Sequence, residues 1–452
     1  MSIRIASADR QLSAADVAHN FAELHPALTE AEALAESARC LYCYDAPCTQ
    51  ACPTHIDVPS FIKKIHNDNL KGAARVILDA NPLGHSCARA CPVQVLCEGA
   101  CVMLQQEHRA VAIGRLQRHA TDAVLAQGWK LFSAGAPTGK KVAVVGAGPA
   151  GLACAQELRR AGHAVVVFDA RKQPGGLTTF AIAQYKIRPD TALAEAKTIL
   201  DLGVELRSGV QVGVDLTFEQ LERDFDAVFL GVGLGATQAL GIPGEDAAGV
   251  VDALTFIEQL KTRPYGTVAA PARVLVIGAG NTAVDAATQA RRLGAAHVAF
   301  VYRRSEDEAP AYGFELDLAK ASGCTFHWLT APARVLVEGD RVTGLECVRM
   351  KLGAPDASGR KGVSPVPKSE HVLPCDLVIK ALGQSKRGDL LRQVEKLQLD
   401  SAGRVVIDEE GRTSNPRYFA GGDCVNGGKE IVNAAADGKR AAGAISIFLK
   451  GT

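Results

Sequence analysis

The sequence predicts an α/β protein with two Rossmann-like dinucleotide-binding domains, preceded by an α-helical, cysteine-rich domain. Three observations support this prediction. Eight of the thirteen cysteines lie between Cys40 and Cys101, short β-branched runs alternate with helical patterns after residue 140, and a glycine-rich turn occurs twice, at Gly146 and Gly278. Strands that alternate with helices form parallel sheets, and turns of this kind lie where such sheets bind nucleotides. A chain of 452 residues has room for two or three such domains.

The cysteines at the start of the chain are closely spaced. Their pattern is Cys40-x2-Cys43-x4-Cys48-x3-Cys52-Pro53, then Cys87-x3-Cys91-Pro92 and Cys97-x3-Cys101. Short loops can direct several thiolates at one inorganic centre, and Cys-Pro endings recur in iron–sulfur loops. Structural zinc favours repeated Cys-x2-Cys pairs, of which there is one here. Disulfides need an oxidising compartment and usually a short secreted chain. We therefore predict an iron–sulfur module, with zinc and disulfides as the alternatives.

The residues around these cysteines have the apolar spacing of helices, and no strand run is convincing. The predicted helices cover Glu30–Arg39, Val58–His66 and Leu70–Leu78, and a glycine- and proline-rich linker follows at Ser133–Lys141. The helical, cysteine-rich domain is therefore assigned to residues 1–138.

Charge and hydropathy restrict the partners. A net charge of +1 argues against binding to nucleic acid or to an anionic membrane surface. The longest uncharged apolar stretch, Val142–Gln156, is too short to span a membrane, and the N-terminus does not resemble a secretory signal. We expect a cytoplasmic protein, in which cluster thiols stay reduced.

The first glycine-rich turn predicts a dinucleotide site. It lies between a strand that starts at Lys141 and a helix over Pro149–Ala161, so the helix N-terminus faces the phosphates. An acid that ends the next strand can bind ribose hydroxyls. The candidate residues are Gly146, Gly148, Pro149, Ala150, Gly151 and Asp169.

A matching segment lies near the C-terminus, where Tyr418-Phe-Ala-Gly-Gly-Asp423 precedes a predicted helix over Ile431–Gly443. It resembles the terminal flavin motif of two-dinucleotide flavoproteins, in which the acid binds the ribityl chain of FAD. Gly422 and Asp423, with Gly176 and Leu177 after the first turn, are the further FAD candidates. The FAD domain is therefore predicted to be discontinuous, over 139–255 and 386–452.

The second turn predicts an NAD(P) domain over 256–385. Its candidates are Gly278, Gly280, Asn281 and Thr282, with Ala283 in place of the third glycine. The next strand ends in Arg303 and Arg304, whose guanidinium groups suit a 2′-phosphate, so NADP(H) is favoured over NAD(H). The alternative is that both arginines belong to a solvated loop. The runs 226–233 and 376–384 are interpreted as the two connections between the domains.

Nearly the whole chain resembles the flavin-containing electron-input half of dihydropyrimidine dehydrogenase, and it is also similar to the glutamate synthase small subunit. Two features favour the former, the spacing Cys91-Pro-x4-Cys97 and a glutamine, Gln117, in the segment Ile113-Gly-Arg-Leu-Gln. The resemblance implies one cluster on Cys40, Cys43, Cys48 and Cys101. It implies a second cluster on Cys52, Cys91, Cys97 and Gln117, with Cys87 as a non-ligand.

The resemblance also implies the function. Electrons from NAD(P)H would pass through FAD and two 4Fe-4S clusters to an FMN-containing, PreA-like catalytic subunit that interconverts uracil or thymine and 5,6-dihydropyrimidines. The chain has no room for that subunit's barrel, so a hetero-oligomer is expected. No catalytic side chain is predicted, because the cofactors carry the chemistry. The alternatives are a glutamate synthase small subunit and, of another class, a zinc-stabilised regulatory flavoprotein.

Overall fold

The computed structural model describes residue 3 and residues 12–268, 271–355 and 361–451. The chain forms two compact units. Unit 1 contains residues 180–185, 236–385 and the described part of 1–23, and unit 2 contains residues 24–179, 186–235 and the described part of 386–452. Residues 1–2 and 4–11 of the predicted helical domain, and residue 452 of the predicted FAD domain, lie outside the described residues.

The secondary structure follows the predicted order, with helices alone at first and alternating strands and helices afterwards. The helices are α1 (Ala14–Asn20), α2 (Glu30–Ser37), α3 (Pro47–Gln50), α4 (Val58–His66), α5 (Leu70–Ala80), α6 (Gly84–Ala90), α7 (Val102–Glu107), α8 (Ile113–Gln127), α9 (Pro149–Arg160), α10 (Leu177–Phe180), α11 (Pro189–Leu200), α12 (Phe218–Asp224), α13 (Ala253–Thr262), α14 (Asn281–Leu293), α15 (Gly313–Ala321), α16 (Gly388–Leu391), α17 (Asp423–Asn426) and α18 (Ile431–Lys450). The strands are β1 (Lys141–Val145), β2 (Ala164–Asp169), β3 (Glu205–Ser208), β4 (Ala227–Leu230), β5 (Val250–Asp252), β6 (Arg273–Ile277), β7 (His297–Val301), β8 (Thr325–His327), β9 (Thr330–Glu338), β10 (Arg341–Pro355), β11 (Lys361–Pro365), β12 (His371–Pro374), β13 (Leu377–Lys380) and β14 (Tyr418–Ala420).

The helices around the cysteines begin at side-chain caps. Thr29 and Glu32 form a capping box at α2, and the carboxylate of Asp57 accepts the Ser60 N–H (3.1 Å) at the start of α4. Such caps satisfy backbone N–H groups that lack a partner within the helix. The apolar stripe of α4, which includes Phe61, is buried. No strand occurs in the described residues before Lys141, as the sequence predicted.

Unit 2 contains a five-stranded parallel sheet in the order β14-β4-β1-β2-β3. Val142 of β1 pairs with Val165 of β2, and the C-terminal strand joins the sheet where Tyr418 pairs with Val228. Strands β1 and β4 are largely buried apolar runs, because helices cover both faces of a parallel sheet. The predicted return of the chain to this sheet at its C-terminus is confirmed.

Unit 1 contains a second parallel sheet in the order β5-β13-β6-β7-β8, together with an antiparallel sheet of β9 to β12. The runs 226–233 and 376–384, which were interpreted as connections between domains, contain the strands β4 and β13. Each run therefore belongs to a sheet, and the chain passes to the other unit a few residues later. The described residues contain no helix long and apolar enough to cross a membrane.

Candidate functional site

The first predicted set of cluster ligands surrounds one cavity. Cys40, Cys43, Cys48 and Cys101 all line it, although Cys101 is distant from the others in the sequence. Cys48 lies in the short helix α3, and Cys101 is the N-cap residue immediately before α7. Apolar side chains such as Ile62 complete the lining. The structure therefore brings together the four thiols of this set, and their sulfur donors suit iron.

The three thiols of the second predicted set lie close to the C-terminal end of α6. The pKa of the Cys91 thiol is raised well above its ordinary value by a hydrogen bond with Cys87, by burial, and by the thiols of Cys87, Cys97 and Cys52. The structure thus brings Cys52, Cys91 and Cys97 close together. Cys87, the expected non-ligand, is buried beside them. All these cysteines are free thiols, as cluster binding requires.

Gln117 points its amide at the start of α6. The side chain is 7% exposed, and its Nε2 donates to the Gly84 carbonyl at 2.8 Å. The oxygen of the amide accepts no hydrogen bond from the described residues. The helix that begins at Gly84 leads directly to Cys91, whose N–H donates to the Cys87 carbonyl at 3.1 Å. Gln117 and Cys91 are therefore connected through one short helix.

The first glycine-rich turn requires glycine at two positions. Gly146 has a φ of +107°, and a Cβ there would lie 2.3 Å from the Gly231 carbonyl oxygen. A Cβ on Gly151 would lie 1.9 Å from the carbonyl oxygen of Gly146. Gly148 lies immediately before Pro149, the first residue of α9, in the place where a phosphate approaches the helix N-terminus. This local geometry fits a dinucleotide.

Asp169 is held against this turn. Its Oδ2 accepts the Ala147 N–H and its Oδ1 accepts the Arg171 N–H, each at 2.7 Å. These two bonds fix the carboxylate at the end of β2, next to the glycine-rich turn. The position agrees with the ribose-binding role predicted for this acid.

The other FAD candidates converge on the start of α9. A Cβ on Gly176 would lie 3.0 Å from the Gly148 Cα, and a Cβ on Gly422 would lie 3.0 Å from the Ala150 Cβ. Asp423 is the first residue of α17, and burial raises the pKa of its carboxyl group. Leu177 is 38% exposed. Three separate segments of the chain thus surround one helix N-terminus.

Sequence reasoning missed three residues in unit 2. Gly438 lets α18 pack against α9, because a Cβ there would lie 2.0 Å from the Ala150 carbonyl oxygen. Asp437 accepts the Gly422 N–H at 3.0 Å. Glu195 is fully buried, and burial raises its pKa to about 7 against the opposing effect of hydrogen bonds from Ser86 and His85. Only the small-residue pattern around Gly438 was visible in the sequence.

The second turn has the same backbone requirement as the first. Gly278 has a φ of +125°, and a Cβ there would lie 2.4 Å from the Ala381 carbonyl oxygen. Gly280 precedes α14, and the Asn281 side chain accepts the Tyr312 N–H at 3.1 Å. Thr282 is exposed at the helix start, and Ala283, in the third position, is fully buried.

The two arginines after β7 differ in environment. Arg303 is exposed, and no hydrogen bond or ion pair engages it among the described residues. Arg304 is 8% exposed, and its Nε donates to the Lys361 carbonyl at 3.2 Å. Of the pair, only Arg303 therefore has an exposed guanidinium without a bonding partner among the described residues.

Comparison with known proteins agrees with this geometry. The family model for the 4Fe-4S cluster of dihydropyrimidine dehydrogenase domain II matches residues 17–129, and the model for pyridine nucleotide-disulphide oxidoreductases matches residues 140–438. The chain belongs to the pyridine nucleotide-disulphide oxidoreductase family. It is a flavin- and NAD(P)-dependent oxidoreductase with a 4Fe-4S domain, and the predicted enzyme class and fold class are confirmed.

Within this family, the Glutamate synthase [NADPH] small chain of Escherichia coli K12 is 38% identical over 446 residues, covering 95% of this chain and 94% of the relative. The NAD-dependent dihydropyrimidine dehydrogenase subunit PreT of the same organism is 34% identical over 429 residues, covering 95% and 97%. Both relatives span almost the whole chain. The glutamate synthase small chain is the more similar of the two, although the sequence motifs favoured the dihydropyrimidine dehydrogenase subunit.

Solved structures support the fold. Mycobacterium tuberculosis FprA in complex with NADPH matches with a TM-score of 0.57 at 21% identity, over 69% of this chain and 85% of that one. The thioredoxin reductase of T. acidophilum matches with a TM-score of 0.54 at 21% identity, over 68% of this chain and 98% of that one.

Proposed function

We propose that this chain is the electron-input subunit of a dihydropyrimidine dehydrogenase. Unit 1 binds NAD(P)H, unit 2 binds FAD and two 4Fe-4S clusters, and a separate PreA-like, FMN-containing subunit receives the electrons and reduces uracil or thymine. The observation that carries this choice is Gln117, a buried amide with its nitrogen engaged by Gly84 and its oxygen left for a ligand role. The similarity to PreT over 97% of that subunit supports the same assignment.

The residues of unit 2 fit the groups that this function needs. The cavity ringed by Cys40, Cys43, Cys48 and Cys101 supplies four sulfur donors for one cluster. Cys52, Cys91, Cys97 and Gln117 supply the donors for the other. The turn from Gly146 to Gly151, closed by Asp169, fits a dinucleotide, and FAD when bound accepts electrons in pairs and releases them singly.

A preference for NADPH is part of this proposal, and it depends on Arg303. Arg303 is exposed two residues after β7, its guanidinium is a planar fork of donors that matches phosphate oxygens, and a 2′-phosphate is bound near the end of this strand in proteins of this fold. The domain boundaries at 138/139, 255/256 and 385/386 stay a prediction. Strand β5 lies within the predicted FAD range 139–255, yet it pairs with β13 in the sheet of unit 1.

A second candidate is a glutamate synthase small subunit. The 38% identity to the Escherichia coli glutamate synthase small chain, over 94% of its length, favours it. Both candidates share the electron-input role and differ in the partner that accepts the electrons. An experiment that distinguishes the two candidates must therefore include the partner subunit, because this chain alone would carry out the same reactions in both cases.

The experiment supplies purified, anaerobically prepared chain with NAD(P)H and different acceptors. We expect reduction of an artificial dye without any partner, no oxidation with uracil alone, and uracil-dependent oxidation once a PreA-like subunit is added. Uracil-dependent oxidation by this chain alone would contradict the proposal. Stimulation by a glutamate-forming partner, with none by the PreA-like subunit, would support the second candidate.

Metal analysis of the same preparation tests the alternative that the chain is a zinc-stabilised regulatory flavoprotein. Two 4Fe-4S clusters correspond to about eight iron atoms and about eight sulfides for each chain, with a broad visible absorbance beside the flavin bands. Zinc without iron or sulfide would instead identify the cysteines as structural.

A further inference from the structure

A buried carboxylate holds the start of α6. Glu195 lies on α11, far from α6 in the sequence, and it is fully buried. Its Oε1 accepts the backbone N–H groups of His85 (2.8 Å) and Ser86 (3.2 Å), and its Oε2 accepts the Ser86 hydroxyl. Three donors from two consecutive residues therefore converge on one side chain, and they satisfy N–H groups that the first turn of a helix leaves without partners.

The same turn of α6 orients Gln117. The carbonyl of Gly84, the residue before His85, accepts the Gln117 Nε2 at 2.8 Å. The turn has little freedom to move, because a Cβ on Gly84 would lie 2.8 Å from side-chain atoms of both Ile77 and Leu78. A displacement of the turn would therefore move the acceptor that fixes the direction of the Gln117 amide.

The helix also connects this turn to a second predicted ligand. α6 ends at Ala90, and the next residue is Cys91, whose N–H donates to the Cys87 carbonyl at 3.1 Å. The hydrophobic core around α6 also includes Leu152 of α9 and Ile199 of α11. A carboxylate buried in such a core costs free energy unless it is fully hydrogen-bonded, and here it is.

We propose that Glu195 is a positioning residue for the cluster served by Gln117 and Cys91. It holds the first turn of α6, the turn holds the Gly84 carbonyl, and that carbonyl fixes the orientation of the Gln117 amide, whose oxygen would be the cluster ligand. The inference rests on the proposed function, because it needs a cluster at this place. Partners of this kind orient the ligands of metal sites, and their loss commonly costs about 10- to 100-fold in metal affinity or activity.

The test uses electron paramagnetic resonance of the reduced, cluster-loaded chain, which separates the signals of the two clusters. In Glu195→Ala we expect one set of signals to shift or disappear and the other to stay unchanged, with electron transfer to an external acceptor about tenfold slower. Glu195→Gln keeps the length of the side chain and an oxygen for the two N–H groups, so it should restore the wild-type signals. Glu195→Asp keeps the charge but shortens the reach, and it should behave like Glu195→Ala.

The matched control is Ile199→Ala, which removes a fully buried side chain from the same helix and core but leaves the carboxylate in place. It should lower thermal stability without changing either set of signals. Wild-type signals in Glu195→Asp, or in Glu195→Ala where that variant folds, would overturn the inference while leaving the proposed function intact. A wild-type chain with a single cluster that needs only Cys40, Cys43, Cys48 and Cys101 would overturn both.

Discussion

Replacing Arg303 by alanine tests whether unit 1 selects its coenzyme through a 2′-phosphate. The side chain is exposed two residues after β7, and no described residue forms a hydrogen bond or ion pair with it. A hydrogen bond to a charged group contributes about 1.5–3 kcal/mol, and solvent exposure places this contact at the lower end of that range. A loss of about 1.4 kcal/mol corresponds to a factor of about ten. We therefore expect kcat/KM for NADPH to fall about tenfold in Arg303→Ala, with kcat/KM for NADH unchanged.

Arg304→Ala is the matched control, since it removes the same guanidinium from the next residue. Arg304 is 8% exposed and bonded to the Lys361 carbonyl, so its loss leaves a partly buried acceptor without its donor. This variant should melt at a lower temperature and keep the wild-type ratio of NADPH to NADH efficiency. The assay is steady-state reduction of an artificial dye with each coenzyme. An unchanged ratio in Arg303→Ala, or a changed ratio only in Arg304→Ala, would refute the reasoning.

Two further predictions concern unit 2. A thiolate brings more negative charge to iron than a neutral amide does. Gln117→Cys should therefore lower the midpoint potential of one cluster in a redox titration, while reduction of the dye continues. If both potentials stay unchanged, Gln117 is not a ligand. In Gly151→Ala the new Cβ would lie 1.9 Å from the Gly146 carbonyl oxygen, so this variant should lose its flavin absorbance on gel filtration. The control is Gly443→Ala, at a glycine of α18 with open space around it, which should keep its flavin. Full flavin retention in Gly151→Ala would show that the turn can adjust.

Local sequence was sufficient for some of the elements and for the two glycine-rich turns, whereas the antiparallel sheet of β9 to β12 was not predicted. Helix α4 has the predicted bounds, Val58–His66, because its apolar stripe and its Asp57 cap are both encoded within a few residues. The first turn was equally predictable, since the conformation of Gly146 at positive φ is a local property that few other residues can adopt. The order of strands and helices then predicted parallel sheets, because short crossover helices permit little else.

The environment of individual side chains depended on tertiary structure, because it is set by residues distant in sequence. Two adjacent arginines look alike in the sequence, yet Arg304 is buried by its bond to Lys361 and Arg303 is exposed. Cys87 lies beside Cys91 as the spacing requires, and spacing alone does not distinguish a ligand from its neighbour. Glu195 belongs to no motif, and only the packing of α11 against α6 brings its carboxylate to Ser86. Periodicity and spacing therefore determined which elements form, and the contacts between elements determined what each polar side chain can do.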